Sequence, residues 1–257
     1  MALFVSFEGG EGSGKSTQAE LLSDRLKRAG VTSLLTREPG TTSLGRYLRD
    51  WLKQQRRSEE TISHGAELFL FAAARSEFVA KVLSPALEQQ STVLIADRYA
   101  DSTTAYQGYG RRIPMTDVDL VNRLATQGLM PRLTFLLDCP PEEGLKRVGS
   151  VQIRLPLGSA EKVDAGRVDE EGTRRFEEES LDFHKRVRVG YLKMAKQQPD
   201  RWCVIDATKT AGEIGDIVWE RVQARLDLDL GTDVDAGSPD SSLPLWAHEH
   251  SETKRPR

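Results

Sequence analysis

The sequence predicts an α/β fold in which a five-stranded parallel sheet carries helices on both faces. Five short apolar runs rich in β-branched and aromatic residues lack clean alternation, as strands covered on both sides do. Longer stretches of helical period separate these runs, and a glycine-rich turn joins the first run to the first helical stretch.

In chain order, LFVSFEG (3–9) is the first strand, and Ser16 to Ala29, closed by Gly30, is the first helix. VTSLLT (31–36) is the second strand and His64 to Gln90, with Pro85 near its end, a long helix. TVLIAD (92–97) is followed by a helix from Asp117 to Gln127, stopped by Gly128. LTFLLD (133–138), a helix from Thr173 to Gln197, WCVIDA (202–207) and a helix from Ala211 to Leu226 complete the series. Strand and helix in alternation imply right-handed crossovers, with the ligand crevice beyond the carboxyl ends of the strands. Residues 149–172 break the pattern with glycine and charge and are expected to be a lid or a surface loop. From about Asp227 the chain is rich in Asp, Ser, Gly and Pro, so residues 1–228 are expected to be one domain and 229–257 a disordered tail.

Composition narrows the function. A net charge of -3 over 257 residues offers no general attraction to a polyanion, so nucleic acid is not an expected partner. No run approaches the roughly 18 apolar residues of a membrane span, and no secretory leader is evident, so a soluble cytoplasmic protein is expected. Cys139 and Cys203 lie in strand-like runs without metal-ligand spacing and read as buried thiols.

Chemistry enters at Gly9, Gly10, Glu11, Gly12, Ser13, Gly14, Lys15, Ser16 and Thr17, which fit G-x-x-x-x-G-K-[ST] between a strand and a helix. This is the phosphate-binding loop of the P-loop NTPases: glycines admit close approach of phosphate oxygens, the helix N-terminus turns N–H groups toward them, Lys15 adds a cation, and Ser16 is placed for Mg²⁺. ATP with Mg²⁺ is therefore the expected cofactor pair. No N-K-x-D guanine reader follows a later strand; the corresponding place holds Asp206-Ala207-Thr208-Lys209. After the third strand, Asp97 and Arg98 put a carboxylate and a guanidinium at the sheet's carboxyl edge, and Arg37 follows the second strand in the same way. Arg98 can grip a phosphate while Asp97 holds metal or orients an acceptor; cations beyond the first loop imply a second anionic substrate.

F-E-G-x-E-G-x-G-K-S-T, T-R-E-P-G, F-x-A-A-R and D-R-Y-x-x-S-x-x-A-Y-Q together resemble the bacterial thymidylate kinases, over about residues 3–226. The resemblance implies a nucleoside monophosphate kinase fold, a homodimer, and transfer of the γ-phosphoryl of ATP to dTMP, a step toward dTTP. It places a thymine-stacking ring at Phe71, a base-reading guanidinium at Arg75, phosphate ligands at Arg49 and Arg98, the loop carboxylate near the sugar 3′-hydroxyl at Glu11, and the acceptor wall at Ser102, Tyr106 and Gln107. Some members carry an arginine inside the phosphate loop; Gly12-Ser13 stands there in this chain, so a lid arginine is expected to supply the catalytic cation. Arg147, Arg154, Arg167, Arg174 and Arg175 are available, with Arg154 and Arg167 favoured. Two alternatives stay open: a kinase for AMP, UMP or dUMP, and a non-catalytic nucleotide switch. His184 is expected at the surface, and the apolar faces of Phe69 and Phe78 at the dimer contact.

Overall fold

The computed structural model describes residues 2–55, 62–88, 92–153, 176 and 179–231. Its strands form one sheet in the order β2-β3-β1-β4-β5, with every neighbouring pair parallel. β1 (Leu3–Glu8) is central, flanked by β3 (Thr92–Asp97) and β4 (Leu133–Asp138), with β2 (Thr32–Arg37) and β5 (Trp202–Asp206) at the edges. The expected fold is the one observed.

β1 explains the missing alternation. Leu3, Val5 and Phe7 pack on one face against Ala19, Leu22 and Leu26 of α1 (Lys15–Arg28) and Ile214, Val218 and Val222 of α9 (Ala211–Gly231). Phe4 turns to the other face and joins Phe78, Val79 and Leu83. Both faces of the central strand are thus core, and each buried side chain of this size contributes roughly 1.5–3 kcal/mol. The edge strands depart from expectation: Leu34 and Leu35 of β2 stay 37% and 38% exposed and Val204 of β5 50%, because helices cover the middle of the sheet more fully than its margins.

The helices differ from the sequence reading in several places. Ser43–Gln55 is a helix, α2, that the reading left unassigned. The long helix from His64 is α3 (His64–Phe78), followed without a break by a π-helical turn (Val79–Leu83) and α4 (Ser84–Glu88). Residues 100–110, also unassigned before, form α5 (Ala100–Thr103) and a second π-helical turn (Thr104–Gly110), and α6 runs Met115–Thr126. α7 (Pro141–Ile153) is helical through residues 149–153 of the expected lid; residues 154–172 lie outside the described residues. Of the helix expected from Thr173 to Gln197, the part from Leu181 is α8 (Leu181–Gln197), where Ser180 caps it by accepting the Phe183 N–H at 3.3 Å; Phe176 is also helical, and residues 173–175 and 177–178 lie outside the described residues. α9 continues beyond Leu226 to Gly231; the rest of the expected tail lies outside the described residues. Phe78 is 2% exposed and belongs to the core, not to an outer face, whereas Phe69 is 64% exposed.

Candidate active site

The parallel sheet delivers the ends of β1, β2 and β3 to one edge, and the expected residues collect there. The loop after β1 bends through Gly9, Gly12 and Gly14, all at positive φ, and ends on Lys15, the first residue of α1. No acidic residue occupies the first turn of α1, so the positive end of the helix is left for an anion. Lys15 folds back over the loop, its Nζ donating to the Gly10 carbonyl at 2.6 Å and to Ser13 Oγ at 3.3 Å. Burial, and then Arg98, lower its ammonium to about 8. Gly12 meets α7 at Gly144: a Cβ on Gly12 would overlap the Gly144 carbonyl, and a Cβ on Gly144 would overlap the Glu11 carbonyl. Thr17 is exposed in the first turn of α1.

Beside the loop, Ser16 Oγ donates to Asp97 Oδ2 at 2.6 Å and Arg37 Nε donates to the same oxygen at 2.9 Å. Burial would raise the Asp97 carboxyl, but Arg37, Lys15 and the Ser16 hydroxyl outweigh it and hold the group below its ordinary value, ionised. Arg37 and Asp97 open onto a cleft of about 480 Å³ that Ser16, Gly40 and Arg49 also line. Arg49 Nη1 donates to the Pro39 carbonyl at 3.4 Å. Arg37 and Arg49 therefore line one cleft with Ser16 and Asp97, and Arg98 is the next residue after Asp97.

Arg98 joins the two halves. Its backbone is left-handed, φ 71, a conformation that costs a non-glycine residue about 1–3 kcal/mol and clusters at functional sites. Its guanidinium reaches across to the loop: Nη2 to Glu11 Oε1 at 2.8 Å and to the Tyr106 hydroxyl at 3.2 Å, Nη1 to the Gly9 carbonyl at 3.2 Å and to Ser102 Oγ at 3.3 Å. Tyr106 also donates to Glu11 Oε1, at 2.6 Å. Burial would raise the Glu11 carboxyl, yet Arg98, Lys15 and Tyr106 keep it below its usual value.

Other expected residues are placed differently. Arg75 is 3% exposed. Its Nε donates to Glu38 Oε2 at 3.1 Å, Nη1 to Thr103 Oγ1 at 2.7 Å and Asn122 Oδ1 at 3.1 Å, and Nη2 to the Tyr99 carbonyl at 3.3 Å. Four of its five N–H groups are thereby committed, leaving one. Phe71 is half-buried and packs 6.2 Å from the ring of Phe176. Gln107 does not join Ser102 and Tyr106 at Arg98: it is 2% exposed, and its Nε2 donates to the buried Glu67 at 2.8 Å. Gln107 lies within the π-helical turn, five residues after Ser102, and its side chain is held by Glu67 of α3 instead.

Arg147 donates to the Ala207 carbonyl at 3.0 Å, and Arg154, Arg167, Arg174 and Arg175 lie outside the described residues. His184 is not a surface residue. It is 4% exposed, edge-on to Phe183 at 5.5 Å, with Nε2 lacking a partner and its imidazole lowered by burial. The sequence reading also passed over Glu8, Tyr191, Glu38, Thr103 and Asn122, all within these networks. Glu8 and Glu38 stood inside quoted motifs, which was the only signal. Cys139 is buried and Cys203 partly so, both as free thiols. Among the described residues, no cluster of three His, Cys, Asp or Glu suggests a metal, and no helix is long and apolar enough to cross a membrane.

Comparison with known proteins returns one family. The thymidylate kinase family profile matches residues 7–217. The chain is 46% identical over 212 residues to the thymidylate kinase of Desulfovibrio desulfuricans, covering 82% of this chain and 91% of that one. It is 43% identical over 231 residues to that of Syntrophotalea carbinolica, covering 90% and 100%. Among solved structures, thymidylate kinase from Ehrlichia chaffeensis superposes with a TM-score of 0.59 at 32% identity, covering 79% of this chain and 92% of that chain. A glycine-rich loop facing an arginine-lined sheet edge, together with these matches, places the chain in the thymidylate kinase family.

Proposed function

We propose that this enzyme transfers the γ-phosphoryl group of ATP to dTMP, giving ADP and dTDP, a step in the supply of dTTP. The observation that carries the reading is the Arg98–Glu11 contact at 2.8 Å, which sets the acceptor-side guanidinium directly against the donor loop. Phosphoryl transfer asks the protein mainly for alignment and for cations around the moving group, and this site supplies both. Lys15 and the loop N–H groups hold the ATP phosphates; Arg37, Arg49 and Arg98 hold the dTMP phosphate, so the attacking oxygen is fixed facing the donor.

Mg²⁺ fits the residues present, because Ser16 Oγ and Asp97 Oδ2 are hard oxygen donors 2.6 Å apart and Asp97 is held ionised. When bound there, the ion neutralises phosphate charge. Glu11 is placed for the sugar 3′-hydroxyl and Phe71 for the face of the thymine. The remaining N–H of Arg75 and the unpartnered buried Oε1 of Glu38 leave one donor and one acceptor for a base edge. Gln107 supports that wall from behind. The cation that closes over the transferred group is assigned to Arg154 or Arg167.

A homodimer fits the exposed apolar side chains on α2, α3 and α6, namely Tyr47, Phe69, Leu120 and Leu124, 72%, 64%, 51% and 70% exposed. Residues 1–228 with the start of the tail carry the activity, in the cytoplasm, without nucleic acid or membrane as partner. The test is ADP release, coupled to a spectroscopic readout, with ATP, Mg²⁺ and each of dTMP, dUMP, UMP and AMP. Acceleration by dTMP alone is expected. Preference for another monophosphate would make the chain a different monophosphate kinase, and no acceleration by any would make it a switch.

A further inference from the structure

Glu8, the last residue of β1, is fully buried and takes no part in the assignments above. Its carboxylate nevertheless receives three donors from two separate elements. Oε1 accepts the Tyr99 N–H at 2.8 Å, while Oε2 accepts the Ser102 hydroxyl at 2.6 Å and the Tyr191 hydroxyl of α8 at 2.9 Å. Arg98 lies within this set of bonds. The peptide before it is fixed by Arg98 N–H to the Phe7 carbonyl at 3.1 Å, and the peptide after it by Tyr99 N–H to Glu8. Two consecutive residues of β1 thus clamp the one left-handed residue of the acceptor edge from either side, which is what a strained conformation needs in order to persist.

The side chain is governed by the same carboxylate. Because the Ser102 hydroxyl gives its hydrogen to Glu8, its lone pairs face outward and accept Arg98 Nη1 at 3.3 Å. Tyr191 stands 2.9 Å from both Ser102 Oγ and Glu8 Oε2 and closes the ring of bonds. Asp101, on the same short helix as Ser102, is paired with Arg201 at 2.7 and 2.9 Å.

We infer that Glu8 is a positioning residue for the transfer: it holds the backbone of Arg98 and turns the Ser102 hydroxyl so that the guanidinium is presented to the acceptor phosphate. The inference rests on the proposed role of Arg98 at that phosphate. Its expected signature is a loss specific to the acceptor, because none of the three bonds to Glu8 comes from the residues that hold ATP.

Glu8→Gln keeps an oxygen for the Tyr99 N–H but cannot accept both hydroxyls. It is expected to lower kcat/KM for dTMP by roughly ten- to a hundredfold while the KM for ATP stays within about twofold. Arg98→Ala and the double variant complete the set. The double is expected to be no worse than Arg98→Ala alone, since two residues acting through one contact do not add. Tyr191→Phe, which removes one donor and leaves the carboxylate buried, replaces Glu8→Gln if that protein does not fold, and a smaller dTMP-specific loss is expected of it. Equal losses toward ATP and dTMP, or full additivity with Arg98→Ala, would overturn the assignment of Glu8. If Arg98→Ala itself leaves the dTMP parameters unchanged, it is the reading of Arg98 that fails.

Discussion

Single residues show how far chemistry can be read from one position. Lys15 was identifiable from its motif, but its proton affinity was not, since that depends on burial and on Arg98, which arrives from another strand. Free Lys15 titrates at about 8 against an ordinary 10.5, and bound phosphates restore the charged form; between those values the ATP complex therefore holds more protons than the free enzyme. Calorimetry at pH 8 in buffers of different ionisation heat is expected to show fractional proton uptake on ATP binding, absent in Lys15→Arg; buffer-independent heats in the wild type would refute this. Arg75 differs again. The resemblance implies a base reader there, and the structure adds that Arg75 is the cationic hub of a buried network with Glu38, Thr103 and Asn122, partners that lie far apart in the chain. Arg75→Ala leaves Glu38 buried without its counter-charge, so a loss of about 3–5 kcal/mol in denaturant unfolding is expected, in addition to any loss of dTMP binding.

At the level of elements, local sequence was sufficient where an element's identity is local. The five strands and the phosphate loop were legible because parallel strands buried on both faces need unbroken apolar runs, and the loop's glycines answer to backbone geometry. Residues 100–110 were not, because a four-residue helix and a seven-residue π-helical turn are too short to show a period, and the contact of Gln107 with Glu67 is made across elements. The burial of His184 was hidden for a similar reason: its helix is charged, and only packing against the π-helical turn determines which side faces inward. The glycine pair at 12 and 144 is likewise invisible until α7 is docked. Gly144→Ala would drive a methyl into the Glu11 carbonyl, so the KM for ATP is expected to rise roughly tenfold with a smaller change for dTMP. Steady-state kinetics with an unchanged KM for ATP would mean the loop yields freely at that contact.

For the molecule as a whole, the central position of β1 makes the sheet an instrument for convergence: Glu8, Asp97 and Asp138 end three adjacent strands on one edge. The outer helices leave Tyr47, Phe69 and Leu124 uncovered, and replacing Phe69 and Leu124 together by Glu is expected to convert a dimer to a monomer in light scattering. A monomer in the unaltered protein would remove the dimer from the account. The contact between Gly12 and Gly144 also bears on how this enzyme can change by descent. An arginine cannot arise at position 12 by one replacement alone, because the carbonyl of the facing helix already fills the space its first carbon would need. Lineages that place a side chain there must first remodel the neighbouring helix, so position 12 and α7 can change only together.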